Sequence, residues 1–537
     1  MSSQQPQASS SKKALTLCLF QSMAGVIFGW GNSSGSGLFN MHAYKRRFGT
    51  EQHNGEWALS TMRQSSFTGL LCLGALVGAV SAGAISERIG LRVTCIAFIV
   101  LHMIGSAIET SAINFKQVYC ARVLLGLGIG ATSGLVPVYQ AEAAPPRWRG
   151  LVTGSYQVCV TLGIWGVAMC SWGMSHYMGN VSWELTVGLA MAYDLGLLIG
   201  FSLLPESPRF LAKKGKWDQC RKNLANFRSL PIDHPAIENE MEIIRQKTAE
   251  DAARGNPTWA ECFSTRDRIL WRVMIGVFVQ VGQQLTGINF FFSYGQQFAA
   301  TAGIHNPYIF QIILASVNVA FGFVGMIAVE KAGRRPVLLV GGTCMFIGQI
   351  VVGSVSKAHP HSKQAGDVLI AFTCLFIAAF AASWGPVAWV VCGETFPIRL
   401  ANRCVTMGTG ANWLMSLVIA FAAPQIQNKI GTGICFVWAG CLLLDLLFCF
   451  FCIPETKGLT IDEIDALYLS KTPAFLSSKF VAKQQAEQAR IEEKPHAQQR
   501  EVQPAAGAEP SSSNASVHTV IGEGAPAAKK ERRSEEV

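Results

Sequence analysis

Charge is scarce in this chain. Of its 537 residues only 15% are Asp, Glu, Lys or Arg, while half are hydrophobic. A soluble chain of this size carries nearer a quarter charged residues, so a water-soluble globule is excluded. A cleavable signal peptide is not expected either. Residues 1–13 are polar, and the run Leu15–Phe28 continues into a glycine-rich stretch rather than a small-residue cleavage site. No lipidation motif is read at either end. Paired metal-binding motifs are missing: Cys449 and Cys452 form one CxxC with no second pair. The other cysteines of the sixteen are scattered, mostly in apolar blocks, which reads as small core residues rather than disulfides. The net charge of +10 comes without a zinc-finger, RNP or helix-turn-helix pattern, so no nucleic-acid partner is expected. No nucleophile–base or metal constellation stands out, and the chain does not read as an enzyme or as the holder of a cofactor.

What is present is apolar sequence in blocks of the length that crosses a bilayer. Twelve such spans are expected near 15–37, 67–85, 91–111, 118–139, 151–173, 185–204, 271–299, 308–329, 336–356, 368–392, 404–426 and 430–453. Basic residues at Lys12/Lys13, Arg88/Arg92, Arg147/Arg149, Arg334/Arg335 and Arg399/Arg403 alternate with poorly charged connections, and 205–270 is basic too. The positive-inside rule makes these sides cytoplasmic and puts both termini inside. Lys45-Arg46-Arg47, in the long first connection, is the exception. Asn180-Val181-Ser182 is a sequon on the opposite side, close to the membrane.

The chain repeats itself. Glu87-Arg88-Ile89-Gly90-Leu91-Arg92 returns as Glu330-Lys331-Ala332-Gly333-Arg334-Arg335. Glu142…Pro146…Arg149 returns as Glu394…Pro397…Arg399, and Pro205-Glu206-Ser207 as Pro454-Glu455-Thr456. Each offset is roughly 245–250 residues. Two parallel six-span halves, 15–204 and 271–453, are expected on either side of a cytoplasmic linker at 205–270, the plan of a secondary transporter with its site between the halves. Glu238–Ala253 is charged and helix-favouring, so short linker helices are expected. The short segment 1–14 reads as a cytoplasmic tail. So does 454–537, expected to be disordered from about residue 470 because it is poor in apolar residues.

The seventh span is the most informative. It holds Gln280, Gln283, Gln284, Asn289 and Tyr294, all polar and none charged. The three glutamines stand at i, i+3 and i+4 and share one helix face. Amides facing lipid would lose hydrogen bonds at several kcal/mol each, so that face must meet a cavity or another helix. One amide alone reads as interhelical glue. Four amides with a tyrosine read as a binding face for a neutral, hydroxyl-rich ligand.

These residues also carry a resemblance. The motifs, in order, are Ala121-Arg122…Gly126-x-Gly128-x-Gly130, Pro137-x-Tyr139-x-x-Glu142, Arg149-Gly150, Pro205-Glu206-Ser207-Pro208-Arg209, Gln283-Gln284-Leu285-Thr286-Gly287-Ile288-Asn289, Gly333-Arg334-Arg335, Trp384-Gly385-Pro386…Trp389 and Pro454-Glu455-Thr456-Lys457-Gly458. From about residue 15 to 465 the chain resembles the sugar porters of the major facilitator superfamily, and most closely the fungal hexose transporters. The resemblance implies an all-α membrane fold of two six-helix bundles. It implies transport of hexose, glucose first, by alternating access at the plasma membrane, in a monomer whose partners are sugar and lipid. It puts sugar contacts at Gln157, Gln283, Gln284, Asn289, Asn318, Trp389 and Asn412, and an outer gate at Phe292 and Tyr294, with Ser293 where the family has tyrosine. It puts cytoplasmic ion-pair clusters, joining the halves when the site faces outward, at Arg88, Arg92, Glu142, Arg149, Glu206, Arg209, Glu330, Arg334, Arg335, Glu394 and Arg399. Ala401 stands where the family has an arginine, leaving Arg399 or Arg403 to substitute.

Coupling is the open choice. Proton-coupled members carry an aspartate in span one, and here that position is Gly31 while the span-four arginine, Arg122, remains. This favours facilitated diffusion. Asp194 and Asp445, inside spans six and twelve, keep a proton-coupled alternative open, Asp194 above all. A non-transporting sugar sensor of the same fold is the other alternative.

Overall fold

The computed structural model describes residues 11–51, 56–143, 149–253, 255, 258–301, 304, 306–358, 363–396, 398–459 and 461–484. Among them, nine helical stretches are long and apolar enough to cross a membrane. One of these, Arg403–Cys452, runs for 50 residues, enough for two crossings, and it is broken where Ala401–Ile430 gives way to Ile434–Cys452. Two further spans are absent from that set because each is split. The run at 15–37 reads as one helix but is two, Ser11–Ser22 and Ala24–Leu38. The run at 271–299 is likewise two, Ile269–Leu285 and Ile288–Thr301. The whole is an all-α fold consistent with twelve crossings. Apolar side chains such as Leu189, Leu195, Ile199, Leu444 and Phe451 point outward, as lipid requires.

Small residues set the packing within the first half. A Cβ on Gly126 would lie 2.1 Å from the carbonyl of Leu71, and one on Gly130 would lie 1.9 Å from that of Ala75. The second and fourth spans, Thr61–Ile89 and Phe115–Ala143, therefore meet backbone to backbone. Between the halves, the second span packs along the eleventh, where Trp413 Nε1 donates to Ser133 Oγ of the fourth at 3.2 Å and Asn428 Nδ2 to Thr61 Oγ1 at 2.7 Å. The fifth packs along the eighth, where Trp165 Nε1 donates to Ser316 Oγ at 3.1 Å.

The repeated motifs make the same local structure twice. Gly90 and Gly333, at φ +103° and +96°, each end one helix and start the next. Glu206 then accepts from the amides of Leu91 and Arg92 at 3.1 and 3.2 Å, and Glu455 from those of Arg334 and Arg335 at 3.0 and 3.1 Å. Each carboxylate thus caps a helix N-terminus, where charge and orphan N–H groups favour it. Either glycine, given a Cβ, would press on that carboxylate.

Between the halves lie the helices Pro208–Lys213, Trp217–Arg228 and Pro235–Ala253. Beyond the last span, Ile461–Leu469 docks on the bundle through Asp465, 2.6 Å from Arg272, and Tyr468 under the same guanidinium. Disorder expected from about 470 is not what residues 470–484 show: Ser477 is fully buried and its hydroxyl accepts from the Glu455 amide at 2.8 Å. Apolar Ala474 and Val481 bury there and anchor the segment. The remainder of that tail lies outside the described residues.

Candidate functional site

The break in the seventh span builds the site. Gly287 takes φ +84°, a left-handed conformation open to glycine, and a Cβ there would sit 2.6 Å from the Trp438 ring. The turn brings Asn289 back beside Gln284, whose Oε1 accepts from Asn289 Nδ2. A discontinuous helix at mid-membrane exposes polar groups where a transporter's ligand binds.

Four of the expected residues form one amide network. Gln284 Nε2 donates to Asn412 Oδ1 at 3.0 Å. Asn412 Nδ2 donates to Gln283 Oε1 at 3.0 Å and Gln280 Oε1 at 2.8 Å. Gln283 Nε2 donates to the carbonyls of Trp384 and Gly385, at 3.0 and 2.9 Å, at the start of helix Trp384–Thr395. Gln280, Gln283, Gln284 and Asn412 are buried in protein, and Asn289 is half-buried. Asn318, buried on the eighth span, keeps Oδ1 without a protein partner, and Gln280 keeps Nε2 free, among the described residues. Gln157 and Trp389 are half-buried on the fifth and tenth spans, outside the network.

Asn289 reaches across the halves as well. Its Oδ1 accepts from Asn32 Nδ2 at 3.2 Å, and Ser293 Oγ donates to the Asn32 carbonyl at 3.2 Å. Farther along, Asn40 Nδ2 donates to Gln296 Oε1 at 2.9 Å and Tyr308 OH to the Gly37 carbonyl at 3.4 Å. The first span is thus sewn to the seventh, and through Tyr308 to the eighth, on one side of the site. Phe292 is buried there, and Tyr294 OH donates to the Ala420 carbonyl at 3.0 Å. The serine at 293 is one of the stitches.

On the opposite side, the charged residues pair within a half or with the linker. Arg334 grips Glu394 through Nε and Nη2, at 2.6 Å for the closest contact, and Thr456 Oγ1 donates to the same carboxylate at 2.7 Å. Glu142 accepts from Ser207 Oγ and lies near Arg209. Arg92 Nε donates to the Phe201 carbonyl at 3.2 Å, as Arg335 Nη2 does to Phe450 at 3.0 Å. Arg399 binds Glu261 of the linker at 2.5 Å, and Arg403 lies over the Trp259 ring. Arg334, not these two, is therefore the partner of Glu394. Arg88 and Glu330 are exposed. The side chain of Arg149 lies outside the described residues.

The model of the sugar (and other) transporter family matches residues 17–468. The chain belongs to this family. Hexose transporter HXT10 of Saccharomyces cerevisiae is 34% identical to this sugar transporter over 474 residues, 87% of each chain. High-affinity glucose transporter ght2 of Schizosaccharomyces pombe is 36% identical over 87% of this chain and 89% of its own. Among solved structures, the proton:xylose symporter XylE bound to 6-bromo-6-deoxy-D-glucose superposes with a TM-score of 0.72 at 24% identity, covering 86% of this chain and 100% of that one. That likeness establishes the major facilitator fold. The protein is a membrane sugar transporter, not an enzyme.

Residues that sequence reading passed over complete the picture. Asp194 is not alone: His102 Nδ1 lies 2.7 Å from its Oδ2. Arg122 has a carboxylate partner after all, Glu109 of the third span, at 2.5 Å, and its Nη1 donates to the Gly31 carbonyl at 3.1 Å. Both His102 and Glu109 were visible as ionisable residues inside the apolar run 91–111. Asn32 and Ser416, whose hydroxyl accepts from Asn289 Nδ2 at 3.4 Å, could be recognised only once the spans were paired in space. Asp445 is buried against Gly282 of the seventh span.

Proposed function

We propose that this transporter carries hexose, with glucose as the first candidate, across the plasma membrane by alternating access and facilitated diffusion. The observation that carries the reading is the amide network of Gln283, Gln284, Asn289 and Asn412 at the helix break. Each amide both donates and accepts, which matches a sugar hydroxyl. Asn318 offers a free acceptor and Trp389 an indole for the apolar face of a pyranose ring. The names of the similar yeast proteins, hexose and glucose transporters, point the same way. Gln157 would reach the sugar from the first half.

In this reading the stitched side is extracellular and the clusters around Glu206 and Glu455 are cytoplasmic, as are both termini. The Asn32–Asn289 contact closes the outer path. Opening it would be accompanied by docking of the cytoplasmic clusters across the halves, a two-state exchange. Passive carriage rests on Gly31, which offers a carbonyl and no carboxylate to Arg122. The carrier works as a monomer of two halves, 15–204 and 271–453, joined by the linker at 205–270.

Uptake of labelled glucose in cells lacking their own hexose carriers tests the proposal. Saturable uptake, competed by unlabelled hexoses, is the expected result. No uptake despite surface expression would overturn it in favour of a sensor.

A further inference from the structure

Beyond the last span the chain presents a two-faced segment. The 3-10 turn Ala474–Leu476 runs directly into helix over 477–484. Ala474, Ser477 and Val481 stand at i, i+3 and i+7 and are buried against the bundle. The Ser477 hydroxyl accepts from the Glu455 amide at 2.8 Å, so the segment is tied to the carboxylate that caps Arg334–Ala358. The opposite stripe holds Phe475, Leu476, Lys479 and Lys483, all exposed. Large apolar and cationic side chains sharing one stripe are the pattern of a helix lying in a membrane interface.

The neighbours of this stripe decide what covers it. Phe475 stacks on Phe450, with ring centroids 6.3 Å apart and planes within 7° of parallel. Phe450 and Phe451 close the last span, Ile434–Cys452, and are 44% and 60% exposed on its lipid-facing surface. The Phe475 ring therefore continues that surface at the level where the span leaves the bilayer. The Arg335 guanidinium, 5.1 Å from the Phe450 ring centroid, marks the same level, since cations at span ends sit among headgroups.

Charge completes the match. Residues 466–484 contain Lys471, Lys479 and Lys483 and no acid, and all three lysines are exposed. A lysine held near an anionic lipid surface strengthens binding about fivefold. We propose that residues 471–484 form a membrane-interface strap, in which Phe475 and Leu476 enter the headgroup layer and the three lysines bind anionic phospholipid. The strap lies outside the sugar site and does not depend on the transport reading. That its leaflet is the cytoplasmic one rests on the topology proposed above, and the test does not use sidedness.

The test uses the purified full-length protein in two kinds of nanodisc, one of phosphatidylcholine alone and one of equal parts phosphatidylcholine and phosphatidylserine. Hydrogen exchange of residues 471–484 is followed, with Ile461–Leu469 as the internal reference. The strap should exchange more slowly in the anionic discs, by at least about fivefold, the effect of a single engaged lysine. The difference should vanish in Lys471→Gln, Lys479→Gln, Lys483→Gln. It should also vanish for the wild type in about 1 M salt, where charges are screened beyond about 3 Å. Phe475→Ser with Leu476→Ser should speed exchange of the strap in both discs. Equal exchange of the wild type in the two discs overturns the proposal. So does a difference that survives both high salt and loss of the lysines, since the lipid would then act elsewhere. Exchange unmoved by the Phe475 and Leu476 substitutions refutes insertion of the apolar stripe. Where the lysine variant does not fold, the salt measurement on the wild type decides alone.

Discussion

Asn289 sits between two partners: its amide nitrogen donates to Gln284 within the second half, and its oxygen accepts from Asn32 of the first at 3.2 Å. One side chain thus belongs both to the amide network and to the contact that closes one side. The two roles separate by mutation. Asn289→Ala should raise the half-saturation concentration about tenfold or more, since a lost buried hydrogen bond costs roughly 1–3 kcal/mol. Asn32→Ala should chiefly loosen the closed side. A cysteine at Ser36, carried with it, should then react several-fold faster with an impermeant maleimide. Unchanged saturation in the first variant, or unchanged labelling in the second, counts against the assignment.

The pair Gln283→Ala with Gln284→Ala removes two of the three side-chain partners of Asn412, leaving Gln280, and three donor bonds at once. We expect a half-saturation shift well beyond any loss of surface protein, measured by labelled-glucose uptake normalised to surface biotinylation. Equal falls in uptake and surface protein, with saturation unaltered, would make the network structural instead.

Much of this was legible because membrane sequence is constrained. The apolar blocks located the spans, and the repeated glycine and acidic motifs located Gly90, Gly333, Glu206 and Glu455 at matching turns. The helix break at Gly287 was not legible: glycine is common inside membrane helices, and periodicity does not reveal the sign of φ. The partners of Arg122 and Asp194 were hidden for another reason. Glu109 and His102 lie 13 and 92 residues from them, and only packing of the third span against the fourth and sixth makes them neighbours. The pairing of Glu394 with Arg334, 60 residues away, is the same kind of fact.

Gly287→Ala tests the break itself. A Cβ would meet the Trp438 ring and would force an L-residue into a left-handed conformation, at a cost of about 1–2 kcal/mol before any clash. The expected result is a melting temperature several degrees lower in detergent and reduced surface expression. A variant with wild-type melting would show that the turn tolerates a side chain.

Passive carriage has its own signature. Glucose added to a weakly buffered suspension of expressing cells should enter without alkalinising the medium. A sugar-evoked proton influx that disappears in Asp194→Asn would overturn the uniport reading.

Acid should release the linker. The Glu261 carboxyl accepts from the amide and hydroxyl of Thr258, both at 3.0 Å, and pairs with Arg399. These bonds, the Thr258 amide first, hold its pKa below the ordinary 4.5. A carboxylate with a lowered folded pKa stabilises its contact fully above the unfolded value and loses that contribution as pH falls through the folded one. The turn Ala260–Phe263 should therefore stay fastened at neutral pH and loosen below about pH 4.5. Hydrogen exchange of this turn, corrected for the intrinsic rate at each pH, should rise in that window. Arg399→Gln removes one of the lowering partners, so its transition should come at higher pH. A transition at the same pH in both proteins would mean that Arg399 does not hold the linker.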